Sequence, residues 1–214
     1  MTLIVAINLD DYLLLTGDHR LIITCEPYTG LPNKLIIDEY KKIQYWKYGA
    51  ISVSGDVILM DYFHKVLELY ANKNSWNFLE MAQVARTMFL DSGRPIEHAK
   101  GTAFFSIFTA KKVELISIAI RHDEIEFETI SEMNAHFSLF AGTPDDPIYQ
   151  IFVNSMRKMD KFITQHDFFN YHITLLKQFY TRQKSFDASI TSSFDLFIQN
   201  RKTGAAITTK IHNY

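Results

Sequence analysis

A hydroxyl group is a weak nucleophile and needs a neighbouring base to take its proton. Thr2 stands directly behind Met1. Once Met1 is removed, its own α-amine, whose ordinary pKa lies close to neutral, is such a base. Threonine is small enough to permit that trimming, and the chemistry on offer is attack on a carbonyl carbon through an acyl-enzyme. Further on, Asp18-His19-Arg20 supplies an acid, an imidazole and a guanidinium. Two apolar runs, 2–9 and 12–18, are parted by Asp10-Asp11, a turn pair. A two-residue turn there sets Leu9 against Tyr12 and Thr2 against His19. Strand alternation then places His19 on the face of Thr2, and a bulge would bring Asp18 there instead. As a bare polar strand end, the same triplet reads as a surface ion pair.

Other reactive side chains carry plainer readings. Cys25 is the lone cysteine and reads as a small core residue, with a nucleophile as the alternative. His166 and His172 do not share a helix face, so no metal site is expected. The eight glycines form no phosphate or dinucleotide loop, and no cofactor is expected. Phe162, Phe168, Phe169 and Phe179 read as helix core or subunit contact.

Composition sets the frame for these residues. The chain has 214 residues, of which 47% are hydrophobic, enough for one domain spanning 1–214 with a sizeable core. A net charge of −2 without a basic block argues against a nucleic-acid binder. The first apolar run is cut by Asn8, Asp10 and Asp11 and lacks a basic head. It therefore reads as a strand rather than a signal peptide or membrane span. A lone cysteine fits a reducing compartment. The expectation is a cytoplasmic protein with no membrane contact.

Element order can also be read. Leu13-Leu14-Leu15 is apolar on both faces, as in a strand covered on both sides. A further strand pair is predicted at 41–47 and 48–54. From Asp56, a plausible N-cap, Val57, Met60, Phe63, Leu67 and Tyr70 recur at helical spacing. Phe78 to Phe89 gives a second helix, closed by Ser92-Gly93 and Pro95. Strands follow at 102–110, 112–120, 123–130 and 136–141, then helices at 145–159 and 166–182, and strands at 193–199 and 204–210. This order argues against βαβ winding. The predicted class is α+β: a four-layer αββα sandwich, two antiparallel sheets between helix pairs.

Several segments together resemble the proteasome-type N-terminal-nucleophile hydrolases, that is, proteasome β subunits and their bacterial relatives. They are Thr2-Leu-Ile-Val-Ala, Leu14-Leu-Thr-Gly-Asp18-His-Arg20, Lys41-Lys42-Ile43 and Ser52-Val-Ser-Gly55-Asp56. The resemblance implies Thr2 as nucleophile and Asp18 as the acid that orients a lysine. Lys42 is the preferred lysine, with Lys34 and Lys41 in competition. It implies that the Gly55 N–H forms an oxyanion hole, to which a helix N-terminus adds positive potential. Asp187 and Ser189 match the stretch that buttresses the nucleophile, although Thr191 and Ser192 replace its two glycines. Ala141-Gly142-Thr143 matches a further small-residue segment. The implied activity is hydrolysis of a peptide or small amide inside a self-assembled ring, with an unfoldase partner unspecified. The alternative is an inactive homologue acting as an assembly or binding module.

Overall fold

The computed structural model describes residues 2–24, 34–72, 76–110, 113–138 and 147–213. Met1, Cys25, Gly142 and Thr143 lie outside them. The chain opens with a tight hairpin of β1 (Ile4–Asn8) and β2 (Tyr12–Asp18). Leu9 N donates to Tyr12 O at 2.9 Å across the turn. Asp10 takes φ +67°, a left-handed conformation that Asp tolerates better than most residues. Ile4 pairs with Gly17 and Asn8 with Leu13, the register that a two-residue turn dictates.

β10 (Asn134–Ser138), β11 (Phe194–Asn200) and β12 (Ala206–Ile211) complete the first sheet, in the order β10-β1-β2-β11-β12. A second five-stranded sheet runs β5-β6-β7-β8-β9. Its strands are β5 (Ile43–Trp46), β6 (Gly49–Gly55), β7 (Gly101–Phe108), β8 (Val113–Ile120) and β9 (Ile125–Thr129). All pairings are antiparallel. The two sheets share a buried apolar layer that includes Ile4, Leu13, Leu15 and Phe197 from one, with Ile43, Phe104 and Leu115 from the other. This layer explains why β2 is apolar on both faces: Leu13 and Leu15 point into it, while Leu14 points the opposite way.

Helices cover the outer faces. α1 (Val57–Tyr70) and α2 (Phe78–Asp91) pack through Leu59, Phe63, Met81 and Phe89 against β6–β8. Asp56 caps α1 by accepting from Ile58 N and Leu59 N, which satisfies orphan first-turn donors. α3 (Pro147–Ser155) and α4 (Gln165–Phe186) join the core below β1, β2 and β11. Phe168 and Phe179 are buried there, as the helix-core reading expects. His172 is buried beside them with Nδ1 on Phe168 O, and His166 bonds Asn170 instead.

The expectation of two sheets in a four-layer αββα arrangement is corrected. Among the described residues there are three antiparallel sheets of twelve strands with four α-helices, richer in strand than that architecture. The third sheet is a two-stranded ribbon of β3 (Leu21–Thr24) and β4 (Lys34–Ile37), in a stretch where no strand was predicted. Leu21-Ile22-Ile23 and Leu35-Ile36-Ile37 are short apolar runs without alternation, and β4 lies exposed along its whole length. Neither the period of two nor a half-buried face was there to signal a strand.

Candidate functional site

Two steps beyond the Ile4–Gly17 pair, the β1–β2 register sets Thr2 opposite His19. Asp18 nevertheless reaches the Thr2 side. Its carboxylate bonds backbone amides at the open end of the hairpin. Oδ1 accepts from Leu3 N at 2.9 Å, and Oδ2 accepts from Arg20 N at 3.0 Å.

Lys42, just ahead of β5, completes the group. Its Nζ donates to Asp18 Oδ1 at 2.5 Å and to Thr2 Oγ1 at 3.0 Å. The side chains of Lys42 and Asp18 are 2% and 0% exposed. Burial pushes the Lys42 ammonium below its usual pKa, and this outweighs the Asp18 carboxylate, which pulls the other way. Gly17 makes room for the lysine stem, because a Cβ there would lie 3.0 Å from Lys42 Cβ. The two competing lysines, Lys34 and Lys41, are exposed.

A polar frame holds these groups. Ser138 Oγ accepts from Ile4 N and donates to Thr2 O. Tyr180 of α4 shares a hydrogen bond with Thr16 at 2.8 Å and donates to Leu3 O at 3.3 Å. His19 turns its Nε2 to Asp195 Oδ1 at 3.1 Å, both buried, while its backbone N donates to Thr191 Oγ1. Thr191 N in turn lies 3.5 Å from Asp18 Oδ2. Ser138 and Tyr180 escape sequence reasoning because nothing local marks a serine at a strand end or a tyrosine inside a helix.

Gly55 stands where β6 gives way to α1, with φ +113°. Asp56 N donates to Lys100 O on the β7 side. Antiparallel alternation therefore turns the Gly55 N–H the other way, where β5 has already ended. A Cβ at Gly55 would come within 2.3 Å of Lys100 O, so both the φ and the close approach require glycine. Gly55 lines a cleft of about 150 Å³ that also contains Thr2 and Lys42, with Leu21, Tyr40, Val53 and Met60 among its walls. Thr2, Asp18, Lys42 and Gly55 thus meet in one place.

Asp187 and Ser189 stand apart from that group. Asp187 ends α4, and its Oδ1 accepts from Ser189 N at 2.8 Å. Neither residue lines the cleft. The segment they belong to touches the site through Thr191, one of the residues that replace the glycine pair.

Similarity to known proteins falls on the fold. Anbu from Hyphomicrobium sp. strain MC1, solved as a Gly-1 mutant, superposes with a TM-score of 0.64 at 14% identity, over 99% of this chain and 87% of that one. Anbu from Yersinia bercovieri, described as an ancestral beta-subunit, gives 0.66 at 9% identity over 98% and 87%. The helical assembly of the Anbu complex from Pseudomonas aeruginosa gives 0.60 at 12% over 98% and 86%. No family model and no curated protein matches the chain. The resemblance read from sequence to proteasome β subunits is corrected accordingly: the likeness shown is to Anbu, and it is one of backbone. At such identities the short matching segments are too few to carry a relationship in sequence.

Proposed function

We propose that this chain hydrolyses peptide or small amide bonds with Thr2 as its nucleophile, after removal of Met1. The observation that carries the reading is the buried Lys42 Nζ held between Thr2 Oγ1 and Asp18 Oδ1. The Thr2 Oγ1 attacks the substrate carbonyl carbon and passes its proton to the freed α-amine. Lys42, oriented by Asp18, donates to Oγ1 and stabilises the developing alkoxide. Negative charge moves to the carbonyl oxygen, where the Gly55 N–H and the α1 N-terminus face it. The α-amine then protonates the leaving nitrogen, and the C–N bond breaks to give an ester on Thr2. Water, deprotonated by the same amine, cleaves the ester and restores the hydroxyl. Asp187 and Ser189 hold the turn after α4, which keeps Thr191 against His19 and Asp18.

The chain acts in this reading as one domain, 1–214, in the cytoplasm, and it self-associates. The Pseudomonas aeruginosa Anbu complex is a helical assembly, and a ring or helix of this chain is the corresponding expectation. No helix among the described residues is long and apolar enough to cross a membrane.

Wild-type chain and Thr2→Ala, produced with native processing, are to be compared on fluorogenic peptides and small amides alongside intact mass. The expected result is a mass lacking Met1, turnover in the wild type and none in Thr2→Ala. Unchanged turnover in the variant would overturn the reading. A non-catalytic assembly module is the second reading, favoured by a likeness that is one of fold alone and that includes a complex forming a helical assembly. Quantitative retention of Met1 would select it.

A further inference from the structure

Among the described strands, β4 of the β3–β4 ribbon is exposed at every residue. Leu35, Ile36 and Ile37 are 43%, 52% and 37% exposed in succession, so both faces of β4 present apolar side chains to solvent. A two-stranded ribbon has little stability in water without a surface to pack on, and an exposed apolar strand of this kind marks an interaction site. The ribbon is also no remote appendage. Leu21 on β3 and Tyr40 just beyond β4 line the cleft that holds Thr2 and Lys42.

The same chain carries a surface of matching chemistry. A groove of about 500 Å³ runs between β9 and β10, the edge strands of the two large sheets, and α3. The apolar part of its floor is Ala119, Phe137 and Val153, partly exposed, beside the polar Thr102, Ser117, Asn134 and Gln150. Glu126 and Glu128 stand on its rim, Glu126 bonded to Arg121 at 3.0 Å and Glu128 3.5 Å from His136 Nε2. His136 adds no positive charge near neutral pH, because burial holds its imidazole below the usual range. The ribbon has the opposite sign. Arg20 pairs with Asp38 and Lys210 pairs with Glu39, while Lys34 and Lys41 add positive charge at the two ends of its exposed stretch.

We propose that the β3–β4 ribbon of one copy docks in the β9–β10 groove of a second copy. Leu35, Ile36 and Ile37 cover the apolar part of the floor, and Lys34 and Lys41 approach Glu126 and Glu128. Ribbon and groove are different surfaces, so the contact is head-to-tail and propagates into a ring or a helix rather than closing as a two-fold dimer. Leu21 of the ribbon is also a wall of the cleft, so docking bears on the cleft as well. The proposal rests on the self-association reading given above.

The test is the assembly state, by sedimentation velocity at low ionic strength, of the wild type, Ile36→Asp and three charge variants. The charge variants are Lys34→Glu with Lys41→Glu, Glu126→Lys with Glu128→Lys, and all four together. The wild type is expected to assemble and Ile36→Asp to remain monomeric with an unchanged circular dichroism spectrum, since Ile36 contributes little to the core. Each charge pair should raise the concentration for half-assembly by about tenfold or more, and the fourfold variant should recover most of it. A monomeric wild type, an Ile36→Asp variant that assembles at wild-type concentration, or a fourfold variant no better than its parents would each overturn the proposal. Thr2→Ala is the control that separates the two readings. It should assemble as the wild type does, so loss of hydrolysis with intact assembly bears on the nucleophile, and loss of assembly bears on the ribbon.

Discussion

Lys42 is pulled by burial towards the neutral amine and by Asp18 towards the ammonium, and burial prevails. Removing the carboxylate therefore exposes the full cost of a buried cation. Asp18→Asn is expected to lower the free energy of unfolding by about 3–5 kcal/mol, and Lys42→Met by a comparable amount, because it strands the buried Asp18 carboxylate without its counter-ion. Urea denaturation of the two variants at neutral pH measures both. The sign of the pH effect follows from the direction of the shift. Between the lowered folded pKa and the usual 10.5 the unfolded chain holds the extra proton. Stability contributed by this group therefore rises with pH across that window. Lys42→Met should flatten the slope there, and an identical slope would show that Lys42 is solvated. The preference for this lysine over Lys34 and Lys41 rests on the resemblance, which sets it before an apolar residue, here Ile43, and all three lie near a strand start. What distinguishes Lys42 is Gly17 beneath its stem, a contact across strands that no local pattern records.

At the scale of elements, the link that matters runs from α4 to the opening hairpin. Tyr180 is fully buried, with its hydroxyl on Thr16 and on Leu3 O, next to the residues that position Thr2 and Asp18. Tyr180→Phe leaves Thr16 and Leu3 O with one partner fewer and is expected to cost about 1–3 kcal/mol. Burial raises the Tyr180 pKa well above 10.0, so above that pH the native state keeps a proton that the unfolded chain releases. Stability is then lost as pH rises. The phenylalanine variant should lose less than the wild type between neutral pH and about 11, measured by thermal unfolding. A parallel loss in both proteins would place the alkaline transition elsewhere. Helices were legible here because their signals are local: Asp56 at the N-cap of α1 with the apolar spacing from Val57 to Tyr70, and the cluster of phenylalanines that includes Phe168 and Phe179 on α4. The hairpin register was legible for the same reason, since Asp10-Asp11 fixes it. The partner of the Asp18 carboxylate was not, because it is the backbone N–H of Leu3, which strand period does not mark.

Across the whole molecule, exposure is unevenly shared among the three sheets. β1, β2 and most of β11 are buried throughout, between the inter-sheet layer and the α3–α4 side. β4 is exposed at every residue, and β12 is only partly covered. The sequence shows the first group plainly, because strands apolar on both faces stand out against polar turns. It hides the ribbon, whose apolar residues look like core although those of β4 lie exposed. Local stability should follow this division, since segments with few buried contacts open without global unfolding. Amides of β1, β2, β6 and β7 are expected to exchange with deuterium only through global unfolding, and those of β3–β4 and β12 much sooner, in dilute monomeric protein such as Ile36→Asp. Raising the wild-type concentration into the assembled range should then slow exchange in β3–β4 and β9 and leave β12 as it was. Protection of β3–β4 equal to that of β2 in the monomer would mean that the ribbon is already covered by its own chain, and its apolar face would need no partner.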